Sequence, residues 1–169
     1  MQYSKQTMEH FRNPKNMGEI KGADGVGEVG NLRCGDVMRV FIRVKTRNVK
    51  CQMSNVKNKE SGINIKNQKA TSYKLEAISS DPSLDGEGKE EYIEDIKFKT
   101  LGCAAAIAAS SMMTELAKGK SLNDAEKISR DDINESLGKL PAQKYHCSVL
   151  SAEGIRKAIE DYRLRNSKT

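Results

Sequence analysis

Apolar and polar residues alternate cleanly in two stretches of the chain. Met38, Val40, Ile42 and Val44 line one side of an extended segment, with Arg39, Arg43 and Lys45 between them. Ile96 and Phe98 alternate with Lys97 and Lys99 in a second segment that ends at Leu101. These two half-buried strands flank one connection and are expected to pair. Gly102 then permits a sharp turn, and residues 103–117 are helix formers with few interruptions, so Cys103 falls where a strand gives way to a helix. Ser4 is an expected N-cap for a helix over 5–11 that Asn13-Pro14 ends, with Met8 and Phe11 as its docking face. His10, in the same helix, reads as a packing or surface residue. Further on, Gly119 is a stop, Ser121–Asp124 and Ser129–Asp132 read as capping boxes, and Gly138 closes the second of those helices. Leu140-Pro141 predicts an extended segment leading to Tyr145-His146-Cys147. A last helix is expected from about Ser148, where Ile155, Ile159 and Tyr162 form a face for the sheet.

Two stretches do not fit these periods. Gly25-Val26-Gly27-Glu28-Val29-Gly30 matches the spacing of a dinucleotide-binding loop, but that loop works only between a strand and a helix whose N-terminus holds the pyrophosphate. Here a Cys34-Gly35-Asp36 turn and a strand follow, so no nucleotide site is expected. Residues 46–90 are rich in Asn, Lys, Ser and Gly and show no sustained period. They read as an insertion at a hairpin tip, flexible or carrying a small hairpin of its own. The expectation is one domain over 1–169 bearing that insertion, with roughly two thirds of its unfolded surface buried.

Composition narrows the function classes. The formal charge is +6, yet only 5% of residues are aromatic, Trp is absent and the basic residues are scattered. That argues against nucleic acid and leaves a solvated surface or a face for an acidic protein. There is no apolar run long enough to span a bilayer, and neither a secretory signal nor an organelle presequence is visible. A cytoplasmic location is expected, where four cysteines are free thiols or metal ligands rather than a disulfide framework.

Three of those cysteines sit at element boundaries, two beside a polar donor. Cys34 and Asp36, two apart in extended chain, point the same way. His146-Cys147 presents an imidazole and a thiolate at a helix entrance, and Cys103 sits at another, where backbone N–H groups favour a thiolate. A closed structural zinc site wants four protein ligands, often in Cys-x-x-Cys pairs, and this chain has no such pair. Three soft thiolates suit iron–sulfur or zinc, whereas the hard oxygen of Asp36 holds such a site weakly. The residues thus describe a labile thiolate metal site, with Arg33, Lys99 or Lys144 as counter-charges. Cys51 lies in the insertion and reads as incidental.

At these residues the chain resembles the iron–sulfur cluster assembly scaffold family of the IscU and NifU N-terminal type. The likeness runs through Tyr3-Ser4, Asn13-Pro14-Lys15-Asn16, Cys34-Gly35-Asp36-Val37-Met38, Phe98-Lys99-Thr100-Leu101-Gly102-Cys103, Lys118-Gly119-Lys120-Ser121-Leu122, Leu140-Pro141 and His146-Cys147-Ser148-Val149-Leu150. The resemblance implies an α+β fold, a small, mainly antiparallel three-stranded sheet covered by helices. It implies a non-catalytic scaffold with Cys34, Cys103 and Cys147 as cluster ligands, and Asp36 and His146 exchanging as the fourth. It further implies a pyridoxal-phosphate cysteine desulfurase of the IscS or NifS type that delivers persulfide sulfur, with Cys147 as acceptor. Iron enters at the same site, an electron donor such as a ferredoxin reduces the persulfide, and a transient [2Fe-2S] cluster passes to apo-proteins. Tyr3 matches a tyrosine linked in the family to dimer contacts, and two units combining clusters into [4Fe-4S] on a homodimer are implied as well.

The chain departs from the family pattern at three places. Relatives served by a dedicated Hsp70-type chaperone show Leu-Pro-Pro-Val-Lys where this chain has Leu140-Pro141-Ala142-Gln143-Lys144. Ala104 replaces a glycine common after the second cysteine, and the insertion between the two strands is the largest departure. The alternative is a zinc-dependent sulfur acceptor of SufU type. That branch carries its extra sequence between the second and third cysteines and lacks the histidine before the last. Here the extra residues lie between the first and second, and His146 is present. A structural adaptor for acidic partners would leave all these donors idle.

Overall fold

A computed structural model describes residues 3–31, 35–49 and 88–167. By its internal contacts the chain divides into residues 1–47 with 90–169, and 48–89; the site belongs to the first unit. The expected insertion at 46–90, apart from its strand ends, and Cys51 lie outside the described residues.

Strands β1 (Gly25–Asn31), β2 (Asp36–Val49) and β3 (Gly88–Leu101) form a sheet of order β1-β2-β3. β1 pairs antiparallel with β2, Val29 facing Met38 and Gly27 facing Val40. Arg47 Nε donates to Glu90 Oε2 at 2.7 Å, while at the other end Thr100 Oγ1 donates to the Val37 carbonyl at 2.9 Å. β2 and β3 therefore run antiparallel, the pairing their alternation predicts. Met38, Val40, Ile42, Ile96 and Phe98 are all buried. The sheet margin at β3 is covered by residues 16–18, through Phe98 N to Asn16 O at 3.1 Å and Gly18 N to Phe98 O at 2.8 Å.

β1 occupies the glycine-rich stretch, where no strand was expected. Its glycines serve a helix, not a nucleotide. Helix α5 (Tyr145–Asn166) lies directly on β1. A Cβ on Gly25 would stand 2.2 Å from the Ala158 carbonyl oxygen, and one on Gly27 would stand 2.3 Å from that of Gly154. Gly154 is in turn required by the sheet, since a Cβ there would meet Met38 Cε at 2.5 Å. Small residues on both surfaces let the helix backbone touch the strand.

Helix α2 (Ala104–Ala117) is buried almost all round, from Ala105 to Thr114, as its Ala-rich sequence suits. It lies against α5, α4 (Arg130–Ser136) and α1 (Lys5–Arg12). Ser4 caps α1 by accepting from Thr7 N at 3.0 Å. The docking face differs from expectation: Thr7 and His10 are buried, while Phe11 is 37% exposed and Met8 half-buried. The reason is the chemistry of α2, which offers hydroxyls. Ser111 Oγ lies 2.8 Å from His10 Nδ1 and accepts from Lys15 N at 2.8 Å, and Thr114 Oγ1 accepts from Asn16 Nδ2 at 3.1 Å. A polar seam can be buried when its partners are built in. Thr7 Oγ1 also donates to the Leu137 carbonyl at 3.1 Å, satisfying an orphan acceptor at the end of α4.

Ser121 caps α3 (Leu122–Glu126), and Ser129 with Asp132 forms a full capping box on α4. Gly119 and Gly138 take positive φ, 80° and 72°, as expected of helix stops. After Pro141 the chain does not stay extended. Ala142–Lys144 forms a 3-10 turn that runs into α5, which begins at Tyr145 rather than Ser148. His146 and Cys147 thus sit within the first turn of α5.

Candidate metal and sulfur site

Three element ends meet at one corner of the sheet. Asp36 opens β2 and is buried at 3% exposure. Cys103 caps α2 in extended conformation, with φ −75° and ψ 170°, and its side chain makes no capping hydrogen bond. Its sulfur is left to other partners. Cys147, fully buried in the first turn of α5, has its Sγ 3.8 Å from Cys103 Sγ and 3.8 Å from Asp36 Oδ2. Two thiolates bonded at about 2.3 Å to one tetrahedral metal stand about 3.8 Å apart, so the sulfurs already have the spacing of a shared ion.

His146 completes this side of the site. One ligand atom each from Asp36, His146 and Cys147 lies within 4.8 Å of the others. His146 Nε2 is buried without a hydrogen-bond partner, and so is Ser148 Oγ. Leaving a buried imidazole nitrogen unpaired costs on the order of 1–3 kcal/mol. Beside a carboxylate and a thiol, it marks a position that a metal fits.

Gly102 has a different purpose from the turn freedom expected of it. A Cβ there would lie 2.9 Å from Asp36 Oδ1 and 3.0 Å from Ala106 Cβ. Its bare backbone makes room for the carboxylate beside Cys103. That requirement comes from β2, far away in sequence, so nothing local announced it.

Among the described residues, Lys144 is the cation that the site's electrostatics mark. The Cys103 sulfur holds the Lys144 ammonium above its ordinary range; burial opposes this, and Tyr3 and Cys147 add to it. Lys99 instead pairs with Glu19. Arg33 lies outside the described residues. Burial pushes the Cys147 thiol strongly upward, with Cys103 and Asp36 adding and Lys144 opposing. Burial thus favours the uncharged thiol at Cys147, and a bound cation would reverse that preference.

Cys34, expected as a ligand, lies outside the described residues. The other four sequence-derived donors, Asp36, Cys103, His146 and Cys147, converge. Val37 and Leu101, 43% and 75% exposed, adjoin Asp36 and the Gly102-Cys103 turn as an apolar rim. The alternation that buries Ile96 and Phe98 puts Leu101 on the opposite face, so this rim was readable from the sequence.

Fold and site together define a small α+β domain that gathers thiol, carboxylate and imidazole donors at the meeting of two helix N-termini and a strand. A family model described as the NifU-like N terminal domain matches residues 2–78 and 83–169, and the chain belongs to that family. It is 43% identical over 166 residues to iron-sulfur cluster assembly scaffold protein IscU 1 of Archaeoglobus fulgidus, covering 98% of this chain and 80% of that one. It is 36% identical over 166 residues to the scaffold protein IscU of Escherichia coli K12, covering 96% and 95%. The crystal structure of a nitrogen-fixing NifU-like protein (N-terminal) from Brucella abortus superposes with a TM-score of 0.59 at 14% identity, covering 96% of this chain and 94% of that one. That likeness speaks for the fold. No helix among the described residues is long and apolar enough to cross a membrane.

Proposed function

We propose that the chain is a scaffold on which [2Fe-2S] clusters are assembled from iron and desulfurase-derived persulfide sulfur, then transferred to apo-proteins. The observation that carries this reading is the 3.8 Å approach of Cys147 Sγ to both Cys103 Sγ and Asp36 Oδ2. The unpaired nitrogen of His146 lies in the same corner. Cys103 and Cys147, with Cys34, are the thiolate ligands in this reading, and Asp36 and His146 compete for the fourth position. A hard carboxylate among soft thiolates is the donor that lets go. That suits a cluster carried as cargo and released intact. Lys144 offsets part of the negative charge that thiolates and carboxylate bring to the cluster.

The partners in this reading are a cysteine desulfurase of IscS or NifS type, an electron donor such as a ferredoxin, and apo iron–sulfur acceptors. Free thiols at the site fit a reducing, cytoplasmic compartment. The scaffold carries sulfur and iron without turnover chemistry of its own. Named IscU scaffolds among the relatives support it over the zinc-dependent SufU alternative.

Anaerobic incubation with desulfurase, cysteine, ferrous iron and reductant tests the proposal. Equal iron and sulfide with a visible charge-transfer band, passed on to an apo-ferredoxin, is the expected result. Zinc held tightly and never displaced by a cluster would refute the scaffold reading and favour the sulfur-acceptor alternative.

A further inference from the structure

The sulfur atoms of Cys103 and Cys147 lie in contact, 3.8 Å apart. Cys147 is fully buried, so the atom nearest to sulfur delivered there belongs to the chain itself. Cys103 is half-buried, ends a glycine turn and spends no hydrogen bond on its helix. We propose that Cys103 is a resolving thiol: it attacks a persulfide on Cys147 and expels the outer sulfur as sulfide. This rests on the reading of Cys147 as sulfur acceptor.

The step balances within the chain. Cys103 Sγ bonds to Cys147 Sγ, and the bond between Cys147 Sγ and the delivered sulfur breaks. The Cys103 proton leaves with that sulfur as hydrosulfide. The sulfane sulfur gains two electrons, and the two cysteine sulfurs together lose them. Sulfide is thus released inside the donor set, where iron would bind it, without an electron-transfer partner at that moment. A dithiol reductant then supplies two electrons to reopen the Cys103–Cys147 disulfide. The same step withdraws two thiol ligands at once, until that disulfide is reopened. Geometry favours the internal attack over an external thiol, because the nucleophile is already 3.8 Å away and any other must reach a buried atom.

The test loads the full reduced chain, iron-free and without reductant, by desulfurase and cysteine, and in parallel by inorganic polysulfide. Intact mass, non-reducing peptide mapping and released sulfide are followed together. Wild type is expected to release one sulfide per chain and to end lighter by two hydrogens, with the Cys103 and Cys147 peptides linked. Cys51→Ser is expected to behave the same way. Cys103→Ser is expected to hold sulfur on Cys147 at least about tenfold longer, and a dithiol should restore wild-type thiols but not lengthen persulfide lifetime. Wild-type persulfide on Cys147 that outlasts loading as long as in Cys103→Ser, by either donor, overturns the proposal. Disulfide formed from polysulfide while the desulfurase loads nothing would sustain the resolving thiol and sink the desulfurase-fed scaffold instead.

Discussion

Replacing Gly27 by alanine tests whether the fold and the site share one support. The new Cβ would stand 2.3 Å from the Gly154 carbonyl oxygen and 2.5 Å from Ala158 N. Both are backbone atoms of α5, so no side chain can rotate away. An ordinary carbon–oxygen contact needs about 3.3 Å, so the helix must lift from β1 by about 1 Å. Overpacking usually costs about 1–3 kcal/mol, and a clash with rigid backbone belongs at the upper end. At about 3 kcal/mol, the melting temperature of a domain this size falls on the order of 10 °C. The site should feel the same displacement, because His146 and Cys147 ride on α5 about two turns before Gly154. Zinc affinity, measured by competition with a chelator, is expected to fall about tenfold. Gly30→Ala is the control on the same strand, its Cβ finding only ordinary contacts at 3.7 and 3.8 Å. It should stay within about 0.5 kcal/mol of wild type. Thermal melts followed by circular dichroism decide the matter. If Gly27→Ala and Gly30→Ala melt within about 2 °C of each other, the strand glycines are not the seat of α5 and the reasoning is wrong.

Three further outcomes are expected. Asp36→Ala should lengthen the life of a reconstituted cluster and slow its transfer to an apo-ferredoxin, read by the decay of the visible band; faster loss would remove Asp36 as the leaving ligand. Ser129→Ala should cost about 1 kcal/mol in urea denaturation, because it deletes the capping box of α4, where Asp132 N donates to Ser129 Oγ at 3.1 Å and Ser129 N to Asp132 Oδ2 at 2.8 Å; an unchanged midpoint contradicts it. Burial, aided by its hydrogen bond to Glu91 Oε1 at 2.7 Å, pushes the Tyr162 phenol from its ordinary 10.0 up to about 12. The fold thus favours the neutral phenol, so this contribution is whole below pH 10 and lost as pH rises toward 12. Urea midpoints across that range should fall less steeply for Tyr162→Phe than for wild type, and parallel curves would disprove the linkage.

Local signals carried far in this chain. Alternation at Met38–Val44 and Ile96–Phe98 marks strands because one buried face imposes a period of two on any half-exposed strand. Ser4, Ser129 and Gly138 mark helix ends because their chemistry acts on backbone groups within three or four residues. The chemical types of Asp36, Cys103, His146 and Cys147, and their places at element ends, are likewise written in the chain. Other features depend on what arrives from elsewhere. The glycines of β1 look like loop residues until α5 comes to rest on them. Thr7 and His10 look like an outer face until the Leu137 carbonyl and the Ser111 hydroxyl supply their partners, which leaves Phe11 outside. Gly102 is spare backbone until the Asp36 carboxylate needs the space. Spacing along the polymer could name the donors, but the 3.8 Å between two sulfurs on different helices exists only once both helices have packed against the sheet. Burial and distance are properties of the assembled body, and a one-dimensional pattern records only the half of each contact that lies on its own segment.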